Sequence, residues 1–326
     1  MLADVLILDL DGVVYIGPDA VPHAIDALCE LAGAGMRLTA ATNNASRPAA
    51  EVGEHLRRLG LDITDDDVIT SAQAAAEHLA ARLRAGAPVL AVGGPGVALA
   101  LQEVGLTALR ASMDLATSSE AADTAEALLM GYGPLVAWFD LAAAQWAIDR
   151  GRYWVATNGD PTVPQPYGRA PGNGAFVALL ERSTGRAPIV IGKPQPTLFE
   201  SLLRRTGARN ALVIGDRLDT DIDGARAAGI RSVFVLTGVQ SIADLAERPR
   251  AQWPDFIAQD MRSLLLPPVA MRVDARGRAG CSAPNALTEA IAAVVEGRST
   301  DRMVEATVEA LPLIDVTALH RDTVAP

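Results

Sequence analysis

Short apolar runs alternate with amphipathic stretches along most of this chain. Val5-Leu6-Ile7-Leu8 reads as a buried strand, and residues 24–32, after Pro22, carry helical spacing. Residues 38–41 are a second apolar strand that breaks at Thr42-Asn43-Asn44, and residues 47–59 place their charges on one face, with Pro48 suited to the first turn of a helix. This β-α-β-α order predicts a parallel sheet.

From about residue 72 to 188 the pattern repeats on a smaller scale. Helices are expected over 74–84, 97–104 and 142–149, and strands over 89–92, 128–130 and 154–156. We read this stretch as a second α/β unit inserted into the first. Residues 189–191 are expected to resume the main sheet, followed by a helix over Thr197–Thr206, a strand over 212–214, a helix over 222–228 and a last core strand over 233–236. Leu264-Leu265-Leu266-Pro267-Pro268 reads as a linker. Beyond it come a short strand over 270–273 and helical stretches over Ala286–Val295 and 302–311. The predicted organisation is a core of residues 1–71 and 189–262, an inserted unit of 72–188, and an extension of 263–326 without assigned role.

Composition narrows the classes. The chain has 326 residues, half of them hydrophobic, which suits about two domains with sizeable cores. Its net charge of −11 argues against a nucleic-acid partner. Cys29 and Cys281 are the only cysteines and give no disulfide framework, so a reducing cytosol is the expected location. The apolar start meets Asp4 and Asp9 early, which reads as a strand and not a signal peptide. The uncharged run 85–102 carries too many glycines and prolines for a membrane span. Within it, Gly93-Gly94-Pro95-Gly96 lacks the spacing of a dinucleotide fingerprint and reads as a turn.

Asp9-Leu10-Asp11-Gly12-Val13 follows the first strand directly. Ligands bind beyond the carboxyl ends of such strands, and a carboxylate pair there can hold a hard cation or attack an electrophile. A calcium loop starting at Asp9 would need glycine at its sixth position and glutamate at its twelfth, where Val14 and Ala20 stand. A loop starting at Asp219 fails at its twelfth position, Ile230. One residue stands out by count: Lys193 is the only lysine among 28 Lys and Arg side chains. A compact ammonium and a planar guanidinium are not interchangeable in a tight site. Asp9/Asp11, Thr42/Asn43, Lys193 and Asp216/Asp221 are each expected at the end of a main-sheet strand, where their chemistry is complementary. Asp9 and Asp216 can ligate Mg²⁺, while Lys193, the Thr42 hydroxyl and backbone N–H groups can hold a phosphate.

These motifs resemble the haloacid dehalogenase-like phosphatases. Asp9-Leu10-Asp11-Gly12-Val13 is similar to their first motif, Thr42-Asn43-Asn44 to the second, Lys193 in Ile-Gly-Lys-Pro to the third, and Gly215-Asp216-x-x-x-Thr220-Asp221 to the fourth. The position of the insertion, Ala156-Thr157-Asn158-x-Asp160 and Pro171-Gly172-Asn173-Gly174 resemble the NagD-like, para-nitrophenylphosphatase branch. The resemblance covers about residues 4–262. It implies a Rossmann-like parallel-sheet core with an inserted α/β cap and, beyond its reach, a small C-terminal extension.

The resemblance also implies Mg²⁺-dependent phosphomonoester hydrolysis. Asp9 would be the nucleophile that forms an aspartyl-phosphate, and Asp11 the general acid and base. Asp9, the Asp11 carbonyl oxygen and Asp216 would hold the metal, with Asp221 supporting its waters. Gly12, Thr42, Asn43 and Lys193 would bind the phosphoryl group, and Asn158 and Asp160 in the cap would bear on substrate choice. Glycerol 3-phosphate and 2-phosphoglycolate are the favoured substrates, because a closed cap suits short molecules; nucleoside monophosphates and pyridoxal phosphate are alternatives within the branch. The expected partner is thus a small phosphorylated metabolite, without nucleic acid or membrane, and a homodimer is compatible with the sequence. A phosphomutase is disfavoured because the stretch between Gly12 and Pro22 is too short for a helical cap. A metabolite-binding regulatory protein on the same scaffold is the alternative of another class; loss of a motif residue would favour it, and Asp9, Asp11, Thr42, Lys193, Asp216 and Asp221 are all present. One departure stands in the cap: where the branch has Gly-x-Asp, this chain has Gly131-Tyr132-Gly133.

Overall fold

A computed structural model of the chain describes residues 3–165, 167–273, 278–281, 286–295 and 311–320. It separates into two compact units. The first comprises the chain up to Ala40, Leu56–Ile63 and the chain from Leu203 onward; the second comprises Ala41–His55 and Thr64–Leu202. The insertion expected at 72–188 lies inside the second unit.

The first unit is built on a sheet whose strands run in the order Ala279–Cys281, Val269–Val273, Ile314–Asp315, Phe256–Ala258, Arg231–Val235, Ala211–Gly215, Val5–Leu8 and Arg37–Thr42. The central strands are parallel and in tight register: Leu8 sits opposite Ile214 on one side and Ala40 on the other. All four residues of Val5–Leu8 are buried, the signature of a parallel strand covered on both faces. The helix Ala24–Gly33 buries Ala24, Ala27, Leu28 and Leu31, one stripe at helical spacing.

The strand over 233–236 is not the last of this sheet, as its sequence suggests. Phe256–Ala258 adds in parallel beside it, and the extension then adds Ile314–Asp315 antiparallel to Phe256–Ala258. Phe-Ile-Ala is too short to carry a periodicity of its own. The extension also brings in the helix Ala286–Val295, and Leu287 and Ile291 join Met271, Ile314, Phe234, Leu245 and Ile257 in one buried cluster. Leu218 and Ile222, from the loop that carries Asp216 and Asp221, belong to the same cluster. The helix expected over 302–311 lies almost wholly outside the described residues.

The second unit has its own parallel sheet, in the order Ile189–Val190, Tyr153–Ala156, Ala127–Met130, Pro88–Val92, Thr107–Leu109. This corrects the expectation that residues 189–191 resume the main sheet: Ile189 pairs with Val155 and Val190 with Ala156. Ala-Pro-Ile-Val-Ile reads as a buried strand from its apolarity, but apolarity does not say which sheet receives it. Lys193 consequently follows the edge strand of the second sheet. A hairpin, Thr162–Gln165 with Gly168–Pro171, projects from this unit. No described helix is long and apolar enough to cross a membrane.

The extension is thus part of the first unit's core. Leu287→Ala, which empties a fully buried site, is expected to cost about 2–5 kcal/mol of stability, read from the shift of the denaturant midpoint. An unchanged midpoint would show that the extension does not contribute to that core.

Candidate active site

In the first unit, two neighbouring strands end side by side in carboxylates. Asp9 follows Leu8, and its N–H donates to Ile214 O at 2.9 Å. Asp216 follows Gly215 on the adjacent strand and is buried, with 1% exposure. The chain then turns through Leu218–Ile222 in a wide π-type helical turn that returns Asp221, also buried, toward the strand end. Asp221 Oδ2 accepts from Arg217 N at 3.1 Å. Carboxylate oxygens of Asp9, Asp216 and Asp221 all lie within 4.8 Å of one another.

Three carboxylates that close, two of them buried, repel one another strongly unless a cation lies among them. Hard oxygen donors at this density fit Mg²⁺ or Ca²⁺ and not a soft metal. Asp11, two residues beyond Asp9, is exposed and pairs through its backbone with Tyr15.

The backbone closes around the Asp216 carboxylate. Val239 N donates to Asp216 Oδ2 at 2.7 Å, and Thr237 Oγ1 donates to Gly12 O at 2.7 Å. Gly12 has φ +83°, and a Cβ there would lie 2.6 Å from Asp216 Oδ2. A Cβ on Gly238 would also collide with the Asp216 carboxylate. The Gly12 N–H is already donated to Tyr15 O at 2.8 Å, so what glycine contributes here is room. Thr237, Gly238 and Val239 were not among the residues singled out by sequence. Their only signal is the end of an apolar strand at residues 233–236, the same kind of position that drew attention to Asp9 and Asp216.

In the second unit, Asn43 and Lys193 come together with Asn158 and Asp160. Lys193 is buried, and its Nζ donates to Ala41 O at 3.1 Å. Asn43 Oδ1 accepts from Lys193 N at 2.8 Å, and Asn43 Nδ2 donates to Lys193 O at 3.0 Å and to Asp160 Oδ2 at 3.1 Å. Asn158 Nδ2 donates to Asn43 O at 2.8 Å. Thr42 is buried, and its hydroxyl oxygen accepts from Asn44 N at 3.0 Å, which turns the chain immediately after the strand. The departure at Gly133 has a steric cause. A Cβ there would collide with Gly94 N and lie 2.6 Å from Gly93 C. The turn at Gly93-Gly94 occupies the space that an aspartate side chain would need.

Comparison with known proteins gives the family and the fold. A model described as haloacid dehalogenase-like hydrolase matches residues 6–107, and one described as HAD-hydrolase-like matches residues 190–264. The chain is 44% identical over 261 residues, 80% of its length, to the D-glycerol 3-phosphate phosphatase of Mycobacterium tuberculosis, covering 70% of that protein. The chain belongs to the haloacid dehalogenase-like hydrolases. Among solved structures of this family, the glycerol phosphate phosphatase of M. tuberculosis in complex with magnesium superposes with a TM-score of 0.78 at 40% identity, covering 90% of each chain. The p-nitrophenyl phosphatase of Archaeoglobus fulgidus gives a TM-score of 0.72 at 27% identity, covering 81% of this chain and 98% of that one. Family and fold agree with the resemblance read from the four motifs.

The packing around Asp216 yields a test. Gly12→Ala combines a left-handed backbone with a blocked Cβ, a strain of order 1–3 kcal/mol. It is expected to weaken Mg²⁺ binding by about tenfold or more, measured by calorimetric titration. Unchanged affinity would show that the tight approach of Gly12 has no bearing on the carboxylates.

Proposed function

We propose that the protein is a Mg²⁺-dependent phosphatase that hydrolyses a small phosphomonoester, with D-glycerol 3-phosphate the favoured substrate. The observation that carries this reading is the trio Asp9, Asp216 and Asp221 within 4.8 Å at adjacent strand ends. The 44% identity to a D-glycerol 3-phosphate phosphatase supports the substrate.

In this reading Asp9, the Asp11 carbonyl oxygen and Asp216 hold Mg²⁺, with Asp221 supporting its waters. When bound, the ion neutralises the carboxylates and the charge on the transferring phosphoryl group. Thr42 and Lys193 hold the phosphoryl oxygens, a hydroxyl and an ammonium suited to a compact anion. An Asp9 oxygen attacks phosphorus, the ester P–O bond breaks, and Asp11 gives its proton to the departing alkoxide. Asp11, now a carboxylate, takes a proton from water, which attacks the aspartyl-phosphate and releases orthophosphate, restoring Asp9. Residues 72–188 serve as the cap that shapes substrate choice, with Asn158 and Asp160 among its candidate determinants.

Release of orthophosphate tests this directly. D-glycerol 3-phosphate should show a higher kcat/KM than 2-phosphoglycolate, nucleoside monophosphates or pyridoxal phosphate, and chelation of Mg²⁺ should abolish turnover. Asp9→Asn should lower kcat by at least about ten-thousand-fold, as expected on loss of a nucleophile. Turnover by Asp9→Asn at the wild-type rate would refute the mechanism, and a different substrate in first place would refute the assignment to glycerol 3-phosphate.

A further inference from the structure

The side chain of Asn43 is spent on a neighbour's backbone. Its oxygen accepts from Lys193 N at 2.8 Å, and its amide nitrogen donates to Lys193 O at 3.0 Å. One carboxamide therefore grips both polar backbone groups of a single residue, as a paired strand would. The amide nitrogen also donates to Asp160 Oδ2 at 3.1 Å. A carboxylate only accepts, so Asp160 favours the orientation that points the amide nitrogen toward it. The reversed orientation would set the Asn43 oxygen against both Lys193 O and the Asp160 carboxylate.

Other contacts hold the strap in place. Asn43 O accepts from Asn158 Nδ2 at 2.8 Å and from Ser71 Oγ at 2.6 Å, and Asn158 O accepts from Asn173 Nδ2 at 2.8 Å. Gly192 makes the approach possible: a Cβ there would lie 2.6 Å from Asn43 Oδ1 and 2.6 Å from Thr157 O. Everything in this network converges on the chain's single lysine, which is 3% exposed.

We propose that Asn43 is a positioning residue that acts through Lys193 and does not bind the phosphoryl group with its side chain, and that Asp160 sets its orientation. This rests on the reading that Lys193 binds the phosphoryl group. A flexible four-carbon stem delivers its ammonium accurately only if the main chain beneath it is fixed. The strap supplies that fixation, and it ties the Thr42-Asn43-Asn44 segment to the segment that carries the lysine.

A double-mutant cycle separates acting through Lys193 from acting on the phosphate. The measured quantity is the dissociation constant of orthophosphate in the presence of Mg²⁺, for the full chain and for Asn43→Ala, Asp160→Ala, Lys193→Ala and the two doubles with Lys193→Ala. Asn43→Ala alone is expected to weaken orthophosphate by about tenfold or more, and in the Lys193→Ala background to add almost nothing. Asp160→Ala should behave in the same way, while Asp160→Asn, which keeps an oxygen acceptor, should lose less. Asp160→Ala also serves the cycle if Asn43→Ala does not fold. Full additivity of Asn43→Ala with Lys193→Ala would overturn the proposal and make Asn43 a direct phosphate ligand. A change in substrate ranking with unchanged orthophosphate binding in Asp160→Ala would overturn the part given to Asp160. Orthophosphate binding that survives Lys193→Ala intact would refute the assignment of Lys193 itself.

Discussion

Three carboxylates held within 4.8 Å of one another are the constraint on which the first unit's architecture depends. Bringing Asp9, Asp216 and Asp221 together costs electrostatic energy through the repulsion of like charges. The fold accepts this cost through rigid means. Two parallel strands in fixed register deliver Asp9 and Asp216, and a wide turn returns Asp221. Gly12 and Gly238 let the backbone press against the Asp216 carboxylate where a Cβ would collide with it. A Val239 N–H is aimed at the same group. Hard oxygen donors fixed in this way suit a hard cation, and the proposed mechanism rests on that fit.

The C-terminal extension has a physical reason within this scheme. Leu218 and Ile222 flank the acidic turn and are buried in the same cluster as Met271, Leu287 and Ile291. The turn's polar contacts come from nearby: Gln240 Oε1 accepts from Leu218 N at 2.5 Å, and Arg248 donates to Leu218 O at 3.1 Å. The acidic turn is thus anchored on its apolar side by residues that follow position 268.

Much of this was legible in the sequence. Val5–Leu8 and 212–214 announce themselves as apolar runs that end in acids, and those acids are the ones found together. The single lysine was visible by counting alone. What stayed hidden depends on contacts between residues distant in sequence. Apolarity of Ile189-Val190-Ile191 predicts a strand but not its partner, so Lys193 was expected beyond the wrong sheet. Phe256–Ala258 is too short to show a period. The role of Asn43 could not be read from its place in Thr-Asn-Asn, because it follows from a strap across 150 residues of chain. Gly133 was visible as a departure from the branch's Gly-x-Asp, but not its reason: the turn at Gly93-Gly94 leaves no room there for a side chain.

The most direct test of the central constraint is thermal unfolding of the wild-type protein and Asp216→Asn, each with and without Mg²⁺. A bound cation stabilises by mass action, and removing one of three crowded charges relieves repulsion in its absence. The account predicts that Mg²⁺ raises the wild-type Tm clearly and the Asp216→Asn Tm little or not at all, and that the metal-free variant unfolds above the metal-free wild type. Equal stabilisation of both proteins by Mg²⁺, or none of the wild type, would contradict it.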